Sequence, residues 1–150
     1  MLSDLLITTP AWADRFGRMN LLHDTQGEGA RDLNDADLDR LLAEDPGGPV
    51  VMLDLLRFRP GGGRERYLQY AERALPIAAR FGAEALYAGE GGRALVADPG
   101  QDWDAVLLIR YPSRQAFAAM VRDPEYRATA HLRAEALTEA VLQPTVSVGG

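Results

Sequence analysis

The sequence predicts an α+β sandwich in which two helical segments cover one face of a four-stranded sheet. Three observations carry this. From residue 50 onward, stretches with strand and helix periodicity follow in the order strand, helix, strand, short hairpin strand, strand, helix, strand, which is a βαββαβ pattern. The two longest strand stretches, residues 50–59 and 103–111, are apolar on both faces. Glycine and proline clusters at 46–49, 60–63, 91–92 and 98–100 fall between the periodic stretches, where turns belong.

Residues 1–48 are expected to form an N-terminal helical extension, and residues 49–148 the α+β domain. In the extension, Thr9 is placed to cap a helix with Pro10 at its first position, and Trp12, Phe16 and Met19 fall on one helical face. That face either docks on the main domain or serves as a lid or partner-binding helix, and a polar linker follows at 24–29. Asn34 is placed to cap a second helix, with Asp35 and Asp37 in its first turn and Leu33 and Leu38 at the positions of a hydrophobic staple. Leu38, Leu41 and Leu42 make its apolar stripe, and Pro46-Gly47-Gly48-Pro49 ends it.

In the strand from residue 50, period two puts Val50, Met52, Asp54, Leu56 and Phe58 on one face, and Val51, Leu53, Leu55 and Arg57 on the other. The spacing of Tyr67, Leu68, Ala71, Leu75 and Ala78 predicts a helix over 64–81, with Pro76 kinking or dividing it and Gly82 capping its end. Residues 84–89 read as a strand, 93–97 as a short strand paired back on it, and 103–111 as a long strand. Ser113 is a natural cap for the next helix, and Asp123-Pro124-Glu125 restarts it. Tyr126, Ala130, Arg133 and Leu137 then recur at helical spacing. A last strand over 141–148 contains Pro144, which suits a sheet edge.

This order describes a ferredoxin-like sandwich with an N-terminal helical extension. Two helices cover one sheet face, yet the central strands are apolar on both. The second apolar face predicts a homodimer with sheets packed face to face, unless the N-terminal helices cover it. The residues Val51-Met52-Leu53-Asp54-Leu55-Leu56-Arg57-Phe58, Tyr67, Tyr70, Trp103-Asp104, Tyr111-Pro112-Ser113 and Asp123-Pro124-Glu125-Tyr126 resemble the domain of unknown function 1330 family over about residues 49–145. The resemblance implies a dimeric α+β barrel. That superfamily also holds small monooxygenases, isomerases and haem-dependent enzymes, which share fold and not chemistry.

The totals narrow the function. A chain of 150 residues can bury a sizeable core. It has no cysteine, which excludes disulfides, thiolate metal sites and cysteine nucleophiles and fits a reducing compartment. A net charge of −6 disfavours nucleic-acid binding. No apolar run approaches the ~20 residues of a membrane span, and Leu5-Leu6-Ile7 is too short for a signal core. The expectation is a soluble cytoplasmic protein without cofactor or metal, binding neither nucleic acid nor membrane.

Asp54 is the first candidate for chemistry. A carboxyl among Met52, Leu53, Leu55 and Leu56 is desolvated, which raises its pKa toward that of a general base. The alternative is a structural acid, either paired with a buried arginine or capping backbone N–H groups. His131 is a second candidate base, or a haem or metal ligand, or an ordinary helix residue. Arg57, Tyr67, Tyr70, Trp103 and Arg133 are candidate ligand contacts around a pocket between sheet and helices, where Tyr87 and Phe58 are placed to contribute as well. Arg57, Arg59, Arg64 and Arg66 flank the 60–63 turn before a helix N-terminus. They mark either an anion site or a solvated β–α connection. His23, beside the linker, reads as solvent-exposed. Three readings stay open: a cofactor-free enzyme performing proton transfer or oxygenation on a small organic molecule, a noncatalytic small-ligand binder, and an interaction protein using its N-terminal helices.

Overall fold

Strand β1 (Val50–Phe58) lies inside a four-stranded antiparallel sheet, hydrogen-bonded on one side to β3 (Ala105–Tyr111) and on the other to β4 (Leu137–Thr145). The computed structural model describes residues 29–149. The expected first helix and linker, with His23, lie outside these residues apart from Gly29. Strand β2 (Glu84–Glu90) pairs with β3, giving the order β2-β3-β1-β4. Helices α2 (Gly63–Arg80) and α4 (Pro124–Ala136) are the two long crossovers of a ferredoxin-like fold, joined by α1 (Asp35–Ala43) and α3 (Arg114–Arg122).

Local chemistry sets the helix ends. The Asn34 side chain accepts from the Asp37 amide at 2.9 Å, as expected of an N-cap, and the Asp37 side chain accepts in turn from the Asn34 amide at 3.0 Å, which makes a reciprocal capping box. Ser113 accepts from the Ala116 amide at 3.0 Å and Asp123 from the Glu125 amide at 2.9 Å, with Pro124 at the first position of α4. Gly62 precedes α2 at φ +114°, a backbone region closed to most side chains. A Cβ on Gly63 would meet the Ala136 carbonyl oxygen at 2.6 Å. The glycine run is thus demanded by a tight β–α turn. Pro76 sits on the exposed side of α2 and does not divide the helix.

Three expected boundaries shift. Residues 93–97 form no strand: the chain between β2 and β3 is irregular, and Leu95 and Val96 are almost fully exposed. The alternation there has no buried surface to pack against. Strand β3 starts at Ala105, two residues later than expected; just before it the Asp104 amide donates to the Leu56 carbonyl at 2.8 Å, while its Oδ2 accepts from the Phe58 amide at 2.8 Å. Strand β4 starts at Leu137, four residues early, and ends at Thr145. Leu137 completes no helical turn; it is fully buried opposite Phe58. Pro144 lies on edge strand β4, as expected.

On the helix-covered face, Val50, Met52, Asp54, Leu56 and Phe58 are all buried. Two apolar clusters form there. One joins Leu38, Met52, Ile77, Tyr111, Phe117 and Met120, and the other Leu56, Phe58, Tyr67, Leu107 and Leu137. On the opposite face Val51, Leu53 and Leu55 are only half-buried. Register places Leu108 beside Leu53, Val106 and Val141 beside Leu55, and the exposed Tyr87 beside Leu108. This second face carries no helix of the described residues.

Candidate functional site

A cavity of about 420 Å³ opens between the sheet and the helices. Its floor is Met52, Leu107, Ile109 and Leu142 of the sheet, and Phe117, Met120 and Val121 of α3 close one end. Ala71, Ala74 and Ala78 of α2 face it, and their small side chains leave the space that leucines would fill. Leu33 and Leu38 form part of its wall, with Asp32 exposed at the rim. A second cavity of about 430 Å³ adjoins it and shares Leu38, Met52, Phe117 and Arg133.

Six buried or largely buried polar side chains enter this apolar space, among them Tyr111 from the end of β3. Asp54 comes from β1, on the face turned to the helices. Tyr67 and Tyr70 are three apart on α2, and Tyr126 and Arg133 seven apart on α4, so each pair shares one helical face. Arg133 Nη2 donates to Asp54 Oδ1 at 2.8 Å, with both side chains about nine-tenths buried. The Tyr70 and Tyr126 hydroxyls share a hydrogen bond of 2.7 Å. The rings of Tyr67 and Tyr70 stand 5.3 Å apart, and Phe58 supports Tyr67 at 5.7 Å. Three polar atoms of buried residues lining the cavity, Asp54 Oδ2 and the Tyr67 and Tyr111 hydroxyls, make no hydrogen bond to any described residue.

Burial raises the Asp54 carboxyl above its ordinary range, and the charge and hydrogen bond of Arg133 oppose that rise without cancelling it. For Arg133, burial works against the charge, but Asp54 and the phenols lift its pKa above the ordinary value, so it stays cationic. Burial pushes the Tyr67 hydroxyl well up, and the nearby Asp54 charge pushes it further. Tyr70 is raised by burial and then by Tyr126, and Tyr126 is raised by burial. The site therefore combines a carboxylate shifted toward neutrality, a fixed cation and phenols that remain protonated donors.

Of the residues singled out in the sequence, Asp54, Tyr67, Tyr70 and Arg133 come together here. Arg57 and Trp103 do not line this cavity. They pair with each other, the guanidinium lying 4.8 Å from the indole centroid, while Arg57 Nη2 donates to the Gly100 carbonyl at 2.7 Å. Tyr87 is exposed on β2, and His131 is exposed on α4. The arginines of the 60–63 turn diverge: Arg59 donates to the Glu135 carbonyl at 3.1 Å, Arg66 lies 3.8 Å from the Glu135 carboxylate, and Arg64 pairs with Glu65 at 3.9 Å. Tyr111 and Tyr126 are site residues the sequence did not put forward, although the seven-residue spacing of Tyr126 from Arg133 was a usable signal. Among the described residues no three His, Cys, Asp or Glu side chains group to hold a metal, and no helix is long and apolar enough to cross a membrane.

A protein of unknown function from Rhodopseudomonas palustris is 29% identical, and the match covers 81% of this chain and 99% of that one with a TM-score of 0.75. An uncharacterised NIPSNAP domain protein from Burkholderia xenovorans is 18% identical over 67% of this chain and 95% of its own, at a TM-score of 0.49. A dimeric ferredoxin-like protein of unknown function from Thermobifida fusca is 18% identical over 68% and 93%, at 0.47. No curated protein matches the chain. The family described as Domain of unknown function (DUF1330) matches residues 62–143, more than half of the sequence, and the chain belongs to that family.

Proposed function

We propose that this protein is a cofactor-free enzyme that moves a proton on a small organic molecule held in the cavity, with Asp54 as the proton acceptor. The observation that carries this is a carboxylate buried in an apolar space, raised in pKa, with Oδ2 left without a partner among the described residues. A proton leaving an acidic C–H or O–H passes to Oδ2. The electron pair stays on the ligand, and Arg133 now balances the ligand's charge in place of that of Asp54. The net charge of the site is unchanged by the transfer, so no new charge is created in a low-dielectric space. The same geometry supports proton transfer over oxygenation, since the carboxylate, the guanidinium and the phenols all serve acid–base chemistry. A second reading, binding without turnover, is favoured by the Asp54–Arg133 bond itself, which is a satisfied ion pair without any substrate.

The test is deuterium exchange from solvent into a panel of small carbonyl and hydroxy compounds, followed by mass spectrometry. Wild-type protein should accelerate exchange into at least one compound, and Asp54→Asn should slow it by about 10²-fold or more while remaining folded. If compounds bind but exchange equally fast with both proteins, the binding reading replaces the enzyme.

We also propose that two copies pair through the open sheet face. Val51, Leu53, Leu55, Val106, Leu108 and Val141 form a contiguous apolar surface of a kind that monomers seldom leave in water. Light scattering at micromolar concentration should give twice the chain mass for the wild type and the single mass for Leu53→Glu. A monomeric wild type removes this proposal.

A further inference from the structure

The geometry points to a neutral, largely apolar molecule carrying a hydroxyl group as the ligand of the cavity, with that hydroxyl seated between Asp54 Oδ2 and the Tyr67 hydroxyl. This rests on the reading of the cavity as a small-molecule site and gives that site a ligand class.

The volume of about 420 Å³ falls within the roughly 300–1,000 Å³ typical of small-molecule sites. Alanine, leucine, isoleucine, methionine and phenylalanine side chains make most of its wall, so most of the ligand must be apolar. Three unpartnered oxygens of buried residues are exceptions, Asp54 Oδ2 and the Tyr67 and Tyr111 hydroxyls, and the first two define the seat. Asp54 is 7% exposed and Tyr67 3% exposed, and each presents an oxygen that no described residue satisfies. An ionised carboxylate only accepts hydrogen bonds, whereas a phenol can donate one. They are neighbours but not bonded to each other. A hydroxyl is the smallest group that donates to the first and accepts from the second.

Charge excludes the other classes. The charge of Arg133 is already matched by Asp54 at 2.8 Å, so an anionic ligand would bring an unmatched negative charge into a dry space beside a carboxylate. A cation drawn to Asp54 would stand against Arg133. A pure hydrocarbon would cover both cavity-facing oxygens and leave them without partners, and a site built to bond a hydroxyl rejects the analogue that lacks one.

Calorimetry with 2-naphthol, naphthalene and 2-naphthoate tests this on the full chain. These probes share a bicyclic apolar body and differ in the polar group. 2-Naphthol should bind at least about tenfold tighter than naphthalene, and 2-naphthoate more weakly than 2-naphthol. Tyr67→Phe removes one unpartnered oxygen and little volume. It should leave naphthalene affinity unchanged and cut the advantage of 2-naphthol to within about threefold. Tightest binding by 2-naphthoate would identify an anion site centred on Arg133. That result overturns the ligand class and leaves the small-molecule reading intact. Equal affinity for 2-naphthol and naphthalene, or an advantage that survives Tyr67→Phe, overturns the hydroxyl seat. Failure of all three probes to bind overturns the inference together with the reading beneath it.

Discussion

Replacing Arg133 by methionine should cost about 3–5 kcal/mol of stability at neutral pH, and much of that loss should disappear in mild acid. The substitution preserves most of the apolar stem and removes the guanidinium that bonds Asp54 Oδ1. A carboxylate is then left in an apolar cavity without a counter-charge. The pH dependence follows from the direction of the Asp54 shift. Its pKa in the folded state lies above the unfolded value, so its contribution to stability is fully present below the unfolded pKa, about 3.9, and is lost as pH rises through the folded pKa. The charge and hydrogen bond of Arg133 are the two effects that hold the folded value down. Without them it climbs, and more stability is lost at neutral pH. Urea unfolding near pH 7 and near pH 4.5 measures the difference: the deficit of Arg133→Met should be clearly smaller at the lower pH. Combining it with Asp54→Leu should return stability close to that of the wild type at pH 7, because the uncompensated charge is gone. A deficit that is the same at both pH values, or a double variant as unstable as the single one, would show that the pair carries no such electrostatic load.

The parts of this fold that were legible in the sequence are those set by chemistry within one element. Alternation along β1 put Asp54 on one face and Leu53 and Leu55 on the other, and the structure buries the first face under the helices and leaves the second half-buried. Asn34, Ser113 and Asp123 cap helices because their side-chain oxygens reach amides two or three residues on. The same periodicities also bear on the site. Arg57 is three residues from Asp54, so a strand turns it to the opposite face, and it is found with Trp103 and Gly100. His131 is two residues from Arg133, about 200° around a helix, so both cannot face one cavity, and His131 is exposed. What spacing cannot supply is the meeting of elements far apart in the chain. Asp54 and Arg133 are 79 residues apart, and Tyr70 and Tyr126 are 56 apart. Their pairing depends on α4 crossing over β1, which only the assembled sheet order fixes. The start of β4 was hidden for a related reason: Leu137 continues the helical apolar spacing of α4 and at the same time begins a strand.

Above about pH 10 the fold should lose stability steeply, by about 1.4 kcal/mol per pH unit for each of four buried tyrosines and roughly 5.5 kcal/mol per unit for all four. Burial raises Tyr67, Tyr70, Tyr111 and Tyr126 above the ordinary phenol value, with neighbouring phenols or the Asp54 charge adding to the rise in each. For a group raised in the folded state, the stabilising contribution is complete below the unfolded pKa, about 10, and is lost as pH rises toward the folded one. Unfolded chains release these protons first, and alkali therefore pulls the equilibrium toward them. This chain isolates the effect, since all 16 of its Lys and Arg residues are arginine and no lysine titrates in the same range. Urea midpoints measured from about pH 9 to 11 give the slope, and tyrosinate absorbance followed over the same range should rise together with loss of helix for the four buried phenols. Tyr70→Phe should make the slope shallower by about 1.4 kcal/mol per pH unit. It also imposes a pH-independent cost of about 1 kcal/mol, because Tyr126 loses its 2.7 Å partner. Phenols that ionise gradually while the helices stay intact would show that the cavity admits water freely, and the dry electrostatics assigned to Asp54 would fall with them.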